Sequence, residues 1–178
     1  MLQGCQSIRT PFRDNEHRSL RAGEIVLLSG FVYCARDAAH LRFQEAIQKE
    51  EKLPLNLSDE TIFYAAPTPT RADGSIGAIG PTTSSRMDTF TPALLKQTGL
   101  KGMIGKGFRS EVVRDAIFSN RAIYLGAIGG VAALIRKYVL SVRTVAYADL
   151  SAEAVLCVEL VDFPLVVVID SLGNQIGA

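Results

Sequence analysis

Gly80-Pro81-Thr82-Thr83-Ser84-Ser85-Arg86-Met87-Asp88 sets four hydroxyls beside one guanidinium. Gly80 and Pro81 punctuate the backbone as a turn does. Thr82 to Ser85 then offer hydroxyls next to free backbone N–H groups, and Arg86 adds a planar fork of donors suited to a carboxylate or phosphate. This composition describes an anion site with a reactive hydroxyl beside it; a Ser/Thr helix cap followed by a surface arginine is the plainer alternative. Two more cations stand out. Lys106 lies between Gly105 and Gly107, and flanks without side chains let a lysine approach a ligand, as they equally suit an ordinary turn. Arg36 opens a predicted helix, where the positive end of the dipole disfavours a cation, which points to a function for it. His40, one turn later, reads as a structural histidine near the site. Asp88 and Thr83 are supporting positions, Asp88 either orienting Arg86 or sitting in solvent.

The elements that must hold these residues follow from periodicity. Residues 1–21 read as an irregular arm leading into a single domain that spans 1–178. Strands are expected at Glu24–Gly30, with Phe31–Cys34 extending it or turning, and at Thr61–Ala66. Asp73-Gly74 fits a hairpin loop, with Ser75–Ile79 returning to feed the Gly80 motif. Arg36–Ile47 has helical spacing, with Ala39, Phe43, Ala46 and Ile47 inward. Thr91-Pro92 marks a second helix with Thr91 as cap, ended by Gly99. Gly102 onward is a short strand running into Lys106. Ser110–Phe118 is a third helix, with Val112, Val113, Ala116 and Ile117 inward. A strand at Ala122–Gly126 precedes a helix from about Ile128 to Tyr138. Strands at Val142–Ala146, Leu156–Val161 and Leu165–Ile169 and a turn at Asp170–Asn174 complete the chain. Alternating strands and helices give an α/β class, and the hairpin and closely spaced last strands imply a mixed sheet with outer helices.

With 178 residues, 48% of them apolar and 21% charged, the chain can bury a sizeable core, and its net charge of +1 gives no electrostatic case for nucleic acid. The longest apolar run, Ala122–Ile135, is too short to span a bilayer and is interrupted by glycines. The arginines near the N-terminus have no apolar segment behind them, unlike a secretory signal. Cys5, Cys34 and Cys157 are far apart and form no CxxC pair, so no metal site is expected in this chain, and a reducing cytoplasm is the simplest home.

Five collinear blocks carry a resemblance: Ala35-Arg36-Asp37-Ala38-Ala39-His40, Gly80-Pro81-Thr82-Thr83 with Arg86-Met87-Asp88, Met103-Ile104-Gly105-Lys106-Gly107, Tyr124-Leu125-Gly126-Ala127-Ile128-Gly129-Gly130, and Asp162-Phe163-Pro164. Together, from about Gly23 to Asn174, they resemble the beta subunit, or C-terminal domain, of the iron–sulfur hydro-lyases, the class I fumarases and L-tartrate dehydratases. The resemblance implies a swivelling β/β/α domain and a partner alpha subunit whose three cysteines hold a four-iron, four-sulfur cluster. It implies reversible dehydration of a small 2-hydroxy dicarboxylate, with Arg36, Arg86 and Lys106 as substrate-carboxylate ligands and Thr82 as the proton-transferring hydroxyl. Arg86-Met87-Asp88 and the Tyr124 block look more like fumarases than tartrate dehydratases. The sequence departs from the family around Leu150–Leu156, where a Gly-Met before Glu153 and a tryptophan near Leu156 are missing. That departure concerns local packing or a subunit contact rather than the site. A stand-alone dicarboxylate-binding module is the competing reading from another class.

Overall fold

The computed structural model describes residues 5–67, 77, 79–127 and 135–176. Its strands are β1 (Gln6–Thr10), β2 (Ile25–Cys34), β3 (Thr61–Phe63), β4 (Ala65–Pro67), β5 (Ile79–Pro81), β6 (Gly102–Gly105), β7 (Ile123–Ala127), β8 (Val139–Ala146) and β9 (Val155–Ile169). The helices are α1 (Asp37–Gln48), α2 (Thr91–Thr98) and α3 (Glu111–Asn120), with short 3-10 turns at Arg13–Ser19, Ser84–Met87, Arg136–Tyr138 and Ala148–Glu153.

β2, β3, β6 and β7 run parallel in that order. The long β9 then pairs antiparallel with both β7 and β2, so the sheet closes on itself. β1 adds parallel to the first half of β2, and β8 adds antiparallel to the first half of β9. Closure explains the two cores. Because side chains alternate along a strand, Val26, Leu28 and Val32 of β2, Phe63, Ile104, Leu125 and Leu165 point inside. The intervening Ile62, Tyr64, Met103 and Tyr124 point outward, where Phe43, Leu94, Leu95, Val113 and Ile117 of the three helices cover them. The result is a mixed α/β fold with outer helices.

Several local expectations change. The arm is not irregular throughout: Gln6–Thr10 is a strand because its register against Val26–Gly30 buries Ile8 inside the closed sheet. Phe31–Cys34 extends β2. The expected strand Thr61–Ala66 divides at Tyr64, its first half joining the main sheet and its second pairing antiparallel with β5. That pairing gives the expected hairpin, whose Asp73-Gly74 loop lies outside the described residues. The two expected final strands are one. Asp162-Phe163-Pro164 does not break β9, which keeps its antiparallel register against β2 there, Phe163 with Leu28 and Pro164 with Leu27. Of the residues of α3 expected inward, Val113 and Ile117 are buried but Val112 is exposed. Of the helix expected from Ile128, residues 128–134 lie outside the described residues, and Arg136–Tyr138 is a single 3-10 turn. Gly99 ends α2 in the left-handed region at φ 73°, as expected.

Candidate functional site

Parallel strands present their C-terminal ends to one rim of a sheet, and loops leaving that rim converge there. Arg36 follows the end of β2, Tyr64 follows β3, and Lys106 follows β6. Thr82 follows β5 and is brought to the same rim by its N–H, which donates to the Tyr64 carbonyl at 2.7 Å. Ser84 N–H donates to the Lys106 carbonyl at 3.0 Å, and Thr83 and Lys106 pair as an isolated parallel bridge. The Gly80 motif is thus stitched across two strand ends. Gly80 and Pro81 are strand residues of β5 paired with Ala66 and Ala65, not a turn.

Charge at the rim is organised by carboxylates. Arg36 is the residue preceding α1, with extended backbone. Its Nη2 lies 3.6 Å from Glu153 Oε1 and 4.0 Å from Asp37 Oδ2. Asp37 Oδ1 in turn accepts from Arg86 Nε at 3.0 Å. Asp37 at the start of α1 also suits the helix dipole. Both roles expected of Asp88 fail: it neither orients Arg86 nor sits in solvent. Its two oxygens accept from Arg109 Nε at 2.6 Å and from Ser110 N–H at 2.7 Å.

Arg109 carries no motif that would mark it in the sequence. Its side chain is fully buried. Nη2 donates to Thr91 Oγ1 at 2.6 Å, Nη1 to the Tyr64 hydroxyl at 3.3 Å, and the guanidinium lies 5.2 Å from the ring centres of Tyr64 and Tyr124. Thr91 is therefore not a cap: it is the first helical residue, its hydroxyl donating to the Met87 carbonyl at 2.8 Å while accepting from Arg109. Below the Gly80 motif, the Tyr124 hydroxyl lies 2.9 Å from both Ser84 Oγ and the Gly107 carbonyl. Donating to the carbonyl leaves its lone pair for Ser84. Burial pushes the Tyr124 phenol up to about 12, against the smaller lowering effect of the Ser84 bond, so it stays protonated. Gly105 is glycine for Ser84's sake: a Cβ there would collide with Ser84 Oγ. The room it makes is taken by the motif, while Lys106 itself is exposed.

His40 is fully buried against Tyr64, Phe43 and Phe90. Its Nδ1–H donates to the Arg36 carbonyl at 2.8 Å. Burial lowers its pKa to about 4, outweighing the bond to Arg36, so the ring is neutral at pH 7. It supports the backbone that carries Arg36. Sequence reasoning also missed Glu153, which lies beside the departing residues and reaches Arg36 directly. Adjacency to Arg36 is the only sequence signal for Asp37. Nothing marks Arg109, whose partners come from four separate segments.

The cysteines do not fit a cluster. Cys34 pairs with Leu156, and its neighbour Tyr33 with Cys157, so the two thiols face opposite sides of the sheet. Cys5 precedes β1. Burial raises the pKa of the Cys34 thiol. Among the described residues no group of His, Cys, Asp and Glu is placed to hold a metal ion, and no helix is long and apolar enough to cross a membrane.

The family model named "Fumarase C-terminus" matches residues 7–178, the whole region that holds this rim. The chain belongs to the fumarase C-terminus family. It is 38% identical over 149 residues to "Fumarate hydratase class I, anaerobic" of Escherichia coli, a match covering 83% of this chain and 27% of that protein. It is 37% identical over 164 residues to "Putative L(+)-tartrate dehydratase subunit beta" of Methanocaldococcus jannaschii, covering 89% of this chain and 84% of that protein. A match to "Fumarate hydratase 2" of Leishmania major is 37% identical over 154 residues, again covering 27% of the relative. The chain thus spans about a quarter of the fumarate hydratases it matches. These relatives are hydratases and a dehydratase by name.

Proposed function

We propose that this chain is the beta subunit of a two-subunit iron–sulfur fumarate hydratase. In this reading it supplies carboxylate ligands and the proton-transfer hydroxyl for the reversible dehydration of malate to fumarate. The observation that carries the reading is the convergence of Arg36, Arg86, Lys106 and Thr82 on the rim formed by the parallel strands. Arg86 and Lys106 are exposed and Arg36 is half-buried. Fixed cations orient a dicarboxylate. They also stabilise the negative charge that develops as a proton leaves the carbon beside a carboxylate. Thr82 takes that proton, and a hydroxyl needs a carboxylate neighbour to do so, which the reading assigns to the partner.

The four-iron, four-sulfur cluster belongs to the alpha subunit in this proposal, because the cysteines here do not form its site. The chain alone is accordingly inactive. Similarity over 84% of a relative named a beta subunit supports the two-subunit arrangement, and three free cysteines suit a cytoplasmic setting. That same coverage favours L-tartrate dehydratase as the second reading; comparing kcat/KM for malate and tartrate in the assembled enzyme decides between them.

The test is Thr82→Ala against Arg86→Ala in the cluster-replete complex. Loss of the proton-transfer group lowers kcat by about 10²–10⁴-fold. Loss of Arg86 raises KM as well, costing about one to two decades in kcat/KM. Near wild-type kcat in Thr82→Ala reduces Thr82 to a loop residue and overturns the reading.

A further inference from the structure

Arg36 occupies an awkward position. It precedes α1, so the partial positive charge of the helix N-terminus repels its guanidinium. The nearest carboxylate in its own element, Asp37, directs one oxygen to Arg86 at 3.0 Å and holds the other 4.0 Å from Arg36. Arg36 Nε is buried and meets no hydrogen-bond partner among the described residues. What restrains the guanidinium arrives from far along the chain. Glu153 closes the 3-10 turn Ala148–Glu153 between β8 and β9. One of its oxygens, Oε2, accepts from the Ala38 N–H at 2.9 Å; the other, Oε1, lies 3.6 Å from Arg36 Nη2. A single carboxylate thereby satisfies an orphan donor of the first turn of α1 and neutralises the cation that the same turn repels. The turn that delivers it has Tyr147 and Ser151 at φ 53° and 52°, a backbone conformation that non-glycine residues adopt at a cost.

We propose that Glu153 is a positioning residue for Arg36. It fixes the direction in which the guanidinium presents its remaining donors at the rim and touches no substrate itself. Asp37 performs the matching task for Arg86 while its other oxygen lies 4.0 Å from Arg36, so each arginine has a different carboxylate as its nearer partner. The proposal rests on the reading of Arg36 as a substrate-carboxylate ligand.

Glu153→Gln separates positioning from capping. The amide oxygen still accepts from Ala38 N–H, but the charge facing Arg36 is gone. Three variants are compared in the assembled hydro-lyase: Glu153→Gln, Glu153→Ala and Arg36→Ala. In parallel, the Arg Nε–H resonances of the isolated chain are followed by NMR, with assignment from Arg36→Ala. Expected for Glu153→Gln is a KM for malate raised about fivefold with kcat and melting temperature close to wild type, together with a shifted, faster-exchanging Arg36 Nε–H signal and an unchanged Ala38 amide. Glu153→Ala shows the same KM and also melts earlier, because the cap is lost. A Glu153→Gln enzyme with wild-type KM and an unmoved Arg36 Nε–H signal overturns the proposal. If instead Arg36→Ala leaves KM unchanged, the parent reading of Arg36 fails, and a shifted Arg36 signal in Glu153→Gln still shows the restraint itself.

Discussion

Asp88→Asn is the sharpest test of how the rim is held. The change is one atom in size, yet Asp88 must accept from Arg109 Nε and Ser110 N–H at once. Asparagine has one acceptor oxygen, so its NH₂ faces a donor whichever way it turns. It also leaves a fully buried guanidinium without its counter-charge, with Thr91 and Tyr64 as its side-chain oxygen partners among the described residues. Breaking one side of a buried ion pair costs about 3–5 kcal/mol. Asp88 keeps 16% side-chain exposure, which places the expected loss near the lower end, about 3 kcal/mol. For a domain of this size that is roughly 6–12 °C in melting temperature. Arg109→Met removes the cation and leaves Asp88 its bond from Ser110 and access to water. Because the penalty of Asp88→Asn comes from stranding Arg109 and vanishes once Arg109 is also replaced, the double variant is less destabilised than the sum, by about 2 kcal/mol in a double-mutant cycle. Calorimetry or urea titration of the four proteins measures this. A melting temperature for Asp88→Asn within about 2 °C of wild type, or strict additivity, refutes the claim that this pair clamps the Gly80 motif to α3.

Acid destabilises the fold through His40. Its folded pKa, about 4 through burial, lies below the unfolded value of 6.5, so the unfolded chain binds the extra proton first. Its contribution is therefore fully present above pH 6.5 and falls as the pH drops toward 4, by roughly 3 kcal/mol in all. His17, also lowered by burial, adds in the same direction. Urea midpoints from pH 7.5 to 4.5 should fall less steeply for His40→Phe, and parallel curves would remove His40 as a cause. Gly105→Ala forces Ser84 off the strand end, and overpacking of this kind costs about 1–3 kcal/mol; a crystal structure with Ser84 unmoved and an unchanged melting temperature would contradict this. Thiol labelling at neutral pH should find Cys5 reactive within minutes and Cys34 and Cys157 slow, because the latter two are buried with raised pKa values; equal rates at all three would show a looser sheet.

Much of this architecture is legible because it is written in local patterns. The apolar run of β2, the spacing of α1, and Gly99 at a helix end each depend on a few neighbouring residues. The limits appear where a distant partner decides. Pro164 reads as a strand end until β9 is seen to hold its register against β2 through it. Thr91 reads as a cap until Arg109 is seen to occupy its hydroxyl. The anion-binding candidates are visible as cations beside glycines and hydroxyls. The groups that position them are not, since Glu153 and Arg36, far apart in chain order, meet only through the fold, and a buried arginine such as Arg109 has no sequence signature.

The balance of charge at the rim bears on the proposed two-subunit arrangement. Arg36, Arg86 and Lys106 bring three positive charges, and Asp37 and Glu153 take back two within the same network. Arg109 and Asp88 cancel each other beneath it. Among the described residues the rim therefore offers a net single positive charge. A dicarboxylate is doubly charged at neutral pH, since carboxyl groups ionise near pH 4. One carboxylate can be matched by this chain, with the exposed Lys106 and Arg86 best placed to reach it. Bringing in the second without further positive charge would leave an uncompensated anion in a partly desolvated site, which is costly. In the proposed reading, the carboxylates that fix the arginines thus lower the affinity of the described rim for a dicarboxylate, and the partner subunit is where the further positive charge is sought.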